Sequence, residues 1–231
     1  MRSTPIRTGL LFAAAGAYVI GIVILLLWLR GDWRWVEGWI FCTAWASFIA
    51  GIFLRLQYKD PGLLAERMRM PGSGGESRAD LAILIGVKVV FMAWIVVSPL
   101  DVRYGWIPRV PLWSEFCGGL LFLAGGFLMF RALSDNTFAS QLVRIQSERG
   151  HHVVDTGVYG FVRHPMYLGA SLVMVGGALL LGSVCGVLVG VAMAGLLILR
   201  IFGEEDLLAR DLEGYRAYCQ RVRYRLVPLV W

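Results

Sequence analysis

The chain has 231 residues, of which 58% are hydrophobic and only 16% charged, whereas a water-soluble domain carries roughly a quarter charged residues. That leaves too little polar surface to cover a globule in water. It excludes a soluble nucleotide-binding enzyme and a nucleic-acid-binding domain, and the formal net charge of +6 fits basic loops on one side of a membrane.

The first predicted element is Gly9–Leu29, 21 residues without a charge, long enough to cross a hydrocarbon core at about 1.5 Å per residue. A secretory signal would be shorter and end in small residues; this run ends in Leu27-Trp28-Leu29-Arg30, an interfacial anchor. A second span is predicted over 35–54, with Trp28, Trp33, Trp35 and Trp39 suited to the interface between the two. The 55–80 loop opens on the turn signal Lys59-Asp60-Pro61-Gly62, continues as a short amphipathic piece over 63–70, and ends in Pro71-Gly72-Ser73-Gly74-Gly75. Those glycines lack the Lys-Ser/Thr of a phosphate loop and read as a flexible connector.

The third span is predicted over 81–100, interrupted by Lys88, a candidate polar contact inside the bundle or a snorkelling chain. The fourth covers 110–130. Tyr167–Leu199 is then uncharged for 33 residues, on the order of 50 Å as one helix, so two helices meeting in a tight turn near Gly182-Ser183 are predicted. Gly182, Gly186 and Gly190 recur every four residues and predict close backbone packing. Leu208, Leu212, Tyr215, Cys219 and Val222 form one helical stripe, predicting a C-terminal amphipathic helix on the membrane surface or over the mouth of the bundle. The fold class is therefore all-α: a polytopic transmembrane bundle of about six hydrophobic helices, the last two a hairpin, followed by that amphipathic helix. The chain reads as one domain, with N-terminal transmembrane helices over 1–130 and the chemistry over 131–231.

With the N-terminus inside, segments on that side hold 17 Lys and Arg against 4 on the other, Lys88 being the one left over. The positive-inside rule then places both termini and both long loops in the cytoplasm, and the membrane, in a bacterial cell, is the inner one. Cys42, Cys117, Cys185 and Cys219 lack redox or metal spacing and read as buried free thiols.

Reactive groups gather in 146–167 and 200–206, and all three histidines fall in the first stretch. His164 precedes Pro165, so its backbone leaves the α region and the proline opens the next helix. His151 and His152 are adjacent and point apart, with no third ligand at suitable spacing, so no metal is expected. Arg200 ends an apolar helix, where snorkelling is the ordinary role, and Glu204 shares its face one turn later, as a salt bridge also would.

The order Val153-Val154-Asp155-Thr156-Gly157-Val158-Tyr159, then Arg163-His164-Pro165-Met166-Tyr167-Leu168-Gly169, then a hydrophobic hairpin, then Arg200 and Glu204-Glu205, with Gly214-Tyr215-Arg216-Ala217-Tyr218 and Arg221-Val222 in the tail, resembles the isoprenylcysteine carboxyl methyltransferase family, itself related to membrane phospholipid methyltransferases. The resemblance covers about 130–231. It implies methyl transfer from S-adenosylmethionine to a lipophilic acceptor, a carboxylate first and a phospholipid amine as the alternative. It also implies a cofactor site from Gln146, His151, Val154, Tyr159, His164, Pro165, Tyr167 and Glu204 or Glu205, with Arg200 facing the acceptor and Glu204 completing the catalytic pair. The segment between Glu205 and Tyr215 is a residue shorter than the family pattern, which leaves open which glutamate holds the cofactor. A nicotinamide-dependent membrane reductase and a non-catalytic membrane protein are the competing classes. The implied partners are membrane lipids and a lipid-like acceptor, without nucleic acid or metal.

Overall fold

The computed structural model describes residues 5–72 and 77–231, with side chains from Phe12 onward. The connector from Ser73 to Gly75 and the first four residues of the basic N-terminal segment lie outside the described residues. The elements are helices α1 (Pro5–Arg30), α2 (Val36–Lys59), α3 (Pro61–Arg67), α4 (Arg78–Tyr104), α5 (Leu112–Asp135), α6 (Pro165–Leu180), α7 (Val184–Asp211) and α8 (Tyr215–Arg221), with single 3-10 turns at Ser147–Arg149 and Gly157–Gly160. Among the described residues there is no strand. Helices α1, α2, α4, α5 and α7 are each long and apolar enough to cross a membrane. The expected sixth, α6, has 16 residues, about 24 Å at 1.5 Å per residue, shorter than a hydrocarbon core of about 30 Å.

Helix α6 lies at the centre, packed along α5 and α7 and touching α2, while α4 packs on α7 and α1 on α4. Glycine makes the α5–α6 approach possible. A Cβ at Gly118 would sit 2.6 Å from the Leu180 amide nitrogen, and one at Gly125 2.6 Å from the Gly169 carbonyl oxygen. From the other side, a Cβ at Gly176 would sit 2.6 Å from the Phe122 nitrogen, and one at Gly169 2.8 Å from the Gly125 oxygen. Any larger residue on this antiparallel seam drives the backbones apart. The glycines singled out in the sequence, Gly186 and Gly190, are also packed, against Ser98 and the Met174 backbone.

The hairpin turn falls where expected. Helix α6 stops at Leu180, Gly182 takes φ +79°, a conformation that glycine adopts without steric penalty, and the Ser183 hydroxyl caps α7 by accepting from the Gly186 N–H at 2.9 Å. Asp101 of α4, 2% exposed, locks the turn: it accepts from the Ser183 hydroxyl at 2.8 Å and from the Cys185 N–H at 3.0 Å.

Three expectations need correction. The C-terminal stripe is not one helix: α7 runs on to Asp211, the chain turns at Gly214 with φ +81°, and α8 restarts at Tyr215. The stripe still buries itself, because Leu212, Tyr215, Tyr218 and Val222 form one cluster with Ile145 and Val153. Lys88 is exposed on the outer surface of α4 rather than in contact inside the bundle; only the snorkelling alternative survives. Of the cysteines, only Cys42 is buried, and Cys117 is exposed on α5. At the end of the bundle where α1 stops and α2 starts, Trp28, Trp33 and Trp39 are exposed, as interfacial anchors would be, whereas Trp35 is buried in the core.

Candidate active site

The start of α6 is built as its sequence dictates. His164 has φ −124° and Pro165 occupies the first helical turn, where its missing N–H is no loss. The C-terminal tail straps this start down: the Arg163 and His164 N–H groups donate to the Tyr224 and Arg225 carbonyls at 3.0 and 2.9 Å. The Arg163 guanidinium adds bonds to the Val222 and Arg223 carbonyls at 2.8 and 2.9 Å. Tyr218, from α8, donates its hydroxyl to the Tyr159 carbonyl at 2.8 Å.

These elements, the 136–154 loop and the last turns of α7 enclose a cavity lined by His151, Val154, Tyr159, His164, Tyr167 and Glu204 among the anticipated residues. The His164 and Tyr167 rings stack with centroids 5.6 Å apart and planes 4° from parallel. The Tyr167 hydroxyl donates to Glu204 Oε2 at 2.5 Å, closing the span from the beginning of α6 to the end of α7. The two glutamates part company here. Glu205 turns away from the cavity, where its Oε1 accepts from Arg163 Nε at 2.7 Å and lies 3.2 Å from His164 Nε2, and its Oε2 accepts from Arg225 Nε at 2.8 Å. It is saturated by charged donors within the fold, whereas Glu204 spends one hydrogen bond and faces the cavity.

Gln146 does not reach the cavity. It is fully buried, its amide donates to the Phe138 carbonyl at 2.8 Å, and its oxygen accepts from Arg149 at 2.5 Å. Its backbone N–H donates to His151 Nδ1 at 3.2 Å, so the proton of the neutral imidazole sits on Nε2. His151 stacks on Phe138 at 4.5 Å. Burial, reinforced by the charges of His152, Arg149 and Arg144, pushes its pKa down to about 4. It is a neutral ring at pH 7. Burial pushes the Tyr159 phenol well up, so it stays protonated. Pro165 shapes the start of α6 and does not line the cavity.

Arg200 is 6% exposed and already occupied: Nε donates to Asp80 Oδ1 at 3.0 Å, and Nη2 donates to the Gln141 carbonyl. Asp80 opens α4, where its own N–H is capped by the Ser77 hydroxyl at 3.1 Å. Its second oxygen, Oδ2, is buried with no hydrogen-bond partner, a costly state for a carboxylate oxygen that nothing fills. Sequence reasoning missed Asp80 because nothing in a separation of 120 residues signals the contact.

It also missed the role of α3. Glu66, 3% exposed, receives Arg144 in a two-pronged bond of 2.7 and 2.9 Å, and Arg67 donates to the Ala139 carbonyl at 2.9 Å. The short helix after Asp60 thus holds the 139–144 wall of the cavity in place. Its amphipathic pattern was visible; its partner was not. Among the described residues no three His, Cys, Asp or Glu side chains gather as a metal set.

The model of the phospholipid methyltransferase family matches residues 113–213, from the first turn of α5 through α6 and α7. Every anticipated site residue lies inside that stretch, which supports a membrane methyltransferase. No curated protein matches the chain.

Proposed function

We propose that the protein transfers a methyl group from S-adenosylmethionine to a lipophilic acceptor, with the cofactor in the cavity beside Glu204 and the acceptor's reactive end toward Arg200 and Asp80. The Tyr167–Glu204 hydrogen bond carries the proposal. It joins the His-Pro start of α6 to the acidic end of α7 in one cavity, inside the stretch similar to the phospholipid methyltransferase family.

The donor set suits that cofactor. Glu204 keeps an oxygen for the hydroxyls or ammonium of a nucleoside-amino acid conjugate. His151 Nε2–H is a neutral donor, and Tyr159, Tyr215 and Tyr218 supply aromatic walls for a base. When bound, the cofactor supplies a methyl group on a sulfonium, which an electron-rich acceptor atom takes by in-line displacement. The protein's own work is to hold the two reactants and exclude water; the tail strapped over Arg163 and His164 contributes to both.

The acceptor anticipated first is a carboxylate, held by the Arg200 guanidinium and needing no deprotonation. Asp80 and the Gln141 carbonyl must then share or release Arg200. The alternative, an amine, is favoured by one observation: Asp80 Oδ2 is buried without a partner and is a free acceptor for an amine proton, provided that Arg200 and Asp80, which do not line the cavity, turn toward it when the acceptor binds. The 17-to-4 distribution of base supports a cytoplasmic location for this end of the bundle and for both termini.

Purified protein incubated with methyl-labelled cofactor and a membrane lipid extract tests the proposal. Label passing into the organic phase is expected. Mild base releases it as methanol if the product is an ester and leaves it in place if it is an N-methyl group. No lipid-phase label, together with binding of a nicotinamide nucleotide, would replace the proposal with a reductase.

A further inference from the structure

A second cavity lies beside the first, where the ends of α2 and α5 meet the 152–156 segment, and nothing in the methyl-transfer scheme uses it. His152, Val153 and Val154 line both cavities, so the two are separated by one strand of chain. Arg55 and Lys59 stand one turn apart on the last stretch of α2 and both face this space.

The balance of charge here is decided by which groups are already paired. Three acids line the cavity, and each is neutralised by an arginine that does not line it. Asp60 caps α3 through the Leu63 N–H at 2.9 Å and lies 3.7 Å from Arg149. Asp135 accepts from the Val158 N–H at 3.0 Å and pairs with Arg131 at 3.0 Å. Asp155 pairs with Arg221. Arg55 and Lys59, by contrast, have no hydrogen-bond or ion-pair partner among the described residues, although Arg55 is half-buried. The space therefore carries two uncompensated positive charges.

Hydroxyl donors complete it. The Thr137 hydroxyl accepts from Arg149 at 2.9 Å, leaving its own proton free to donate. Thr156 precedes a 3-10 turn without capping it by its side chain. Ser134, also in the lining, has a buried Oγ with no partner among the described residues, an unmet hydrogen-bonding capacity that a rotation of the hydroxyl toward the space would satisfy. A guanidinium, an ammonium and three hydroxyls match the several acceptor oxygens of a phosphate better than the two of a carboxylate.

We infer that this cavity is a phosphate-binding site at the membrane interface, held by Arg55, Lys59, Ser134 and Thr137. The phosphate belongs to an anionic lipid whose chains lie along α2, where Leu54 and Tyr58 are exposed, or to a free phosphate ester in solution. The site is distinct from the methyl-transfer cavity and does not depend on that assignment.

Full-length protein in a neutral detergent should be titrated with dioctanoyl phosphatidic acid, dioctanoyl phosphatidylcholine, glycerol 3-phosphate and inorganic phosphate, with binding read by native mass spectrometry. Saturable binding of phosphatidic acid is expected, weakened roughly 10- to 100-fold in Arg55→Gln/Lys59→Gln, on the scale of two lost charge-assisted bonds, and about 5-fold in Ser134→Ala. Lys59 is exposed, so Lys59→Gln alone folds and carries the same test at about 5- to 10-fold should the double variant fail. Competition by glycerol 3-phosphate or inorganic phosphate at equal concentration identifies a soluble ligand; binding of the lipid alone identifies the membrane source. Unchanged affinity in Lys59→Gln and the double variant overturns the site. So does an equal loss in Arg223→Gln, which removes an exposed arginine elsewhere on the same end and reports general charge attraction.

Discussion

A carboxylate stands at each end of helix α7, Asp101 of α4 beside its start and its own Glu204 near its finish, and the two environments differ in what they leave over. At the hairpin end, Asp101 is consumed by the Ser183 hydroxyl and the Cys185 N–H, with the Ile107 N–H at 3.3 Å from its other oxygen. At the far end, Glu204 accepts one bond from the Tyr167 hydroxyl, and Asp80 keeps a buried oxygen unpaired. A polar cluster that closes on itself holds the fold; one that ends in unused acceptors around a cavity is suited to a ligand.

Substitution at each end should break or sharpen that contrast. Glu204→Gln is expected to reduce methyl transfer by about 100-fold or more, on the scale of losing charge-assisted bonds to a bound ligand, with little change in melting temperature. A melting temperature that collapses instead would make Glu204 a structural acid like Asp101. The converse variant, Asp101→Ala, should destabilise the protein by about 1–3 kcal/mol, because the Ser183 and Cys185 donors are left buried and unpaired, while cofactor affinity in the folded fraction stays near wild type. Denaturant or thermal unfolding in detergent, set beside ligand titration, separates the two effects.

The seam of α5 and α6 offers a steric version. Gly125→Ala should destabilise by about 1–3 kcal/mol or more through overpacking, since its Cβ would meet the Gly169 oxygen at 2.6 Å. Gly195→Ala on α7, where nothing lies within 4 Å, should be neutral or stabilising in the same melts. Equal effects at both positions would mean that the seam is looser than its geometry.

Tyr167→Phe removes a single hydrogen bond, about 1 kcal/mol, and should weaken cofactor binding about 5-fold without loss of fold. Smallest is the effect of acid on His151. Its folded pKa of about 4 lies below the ordinary value of 6.5. Between those values the unfolded chain binds the extra proton and the folded chain does not. Its contribution to stability is therefore level above about pH 6.5 and falls as pH drops toward 4. His151→Phe should flatten that part of the melting-temperature profile; a profile unchanged by the substitution would assign the acid sensitivity elsewhere.

Much of the fold was legible because hydropathy, glycine and proline act locally. Uncharged runs marked the spans, Gly182-Ser183 marked the turn, and His164-Pro165 marked the start of α6. The break at Gly214 was missed because the apolar stripe keeps its helical spacing across a turn that folds the same side chains onto one cluster. The difference between Glu204 and Glu205 was illegible for another reason. Adjacent residues on a helix point about 100° apart, and only the packing of Arg163, His164 and Arg225 around one of them decides which is spent. Asp80 and Glu66 reach the site from helices far upstream, through contacts that no local pattern encodes.

The central claim is that Glu204 faces a ligand while Asp101 serves the fold, and calorimetric titration with S-adenosylhomocysteine addresses it most directly. Wild type and Asp101→Ala are predicted to bind within about 2-fold of each other, and Glu204→Gln about 10- to 100-fold more weakly. Equal affinity for Glu204→Gln and wild type, or heat of binding with a nicotinamide nucleotide in place of S-adenosylhomocysteine, would contradict the account.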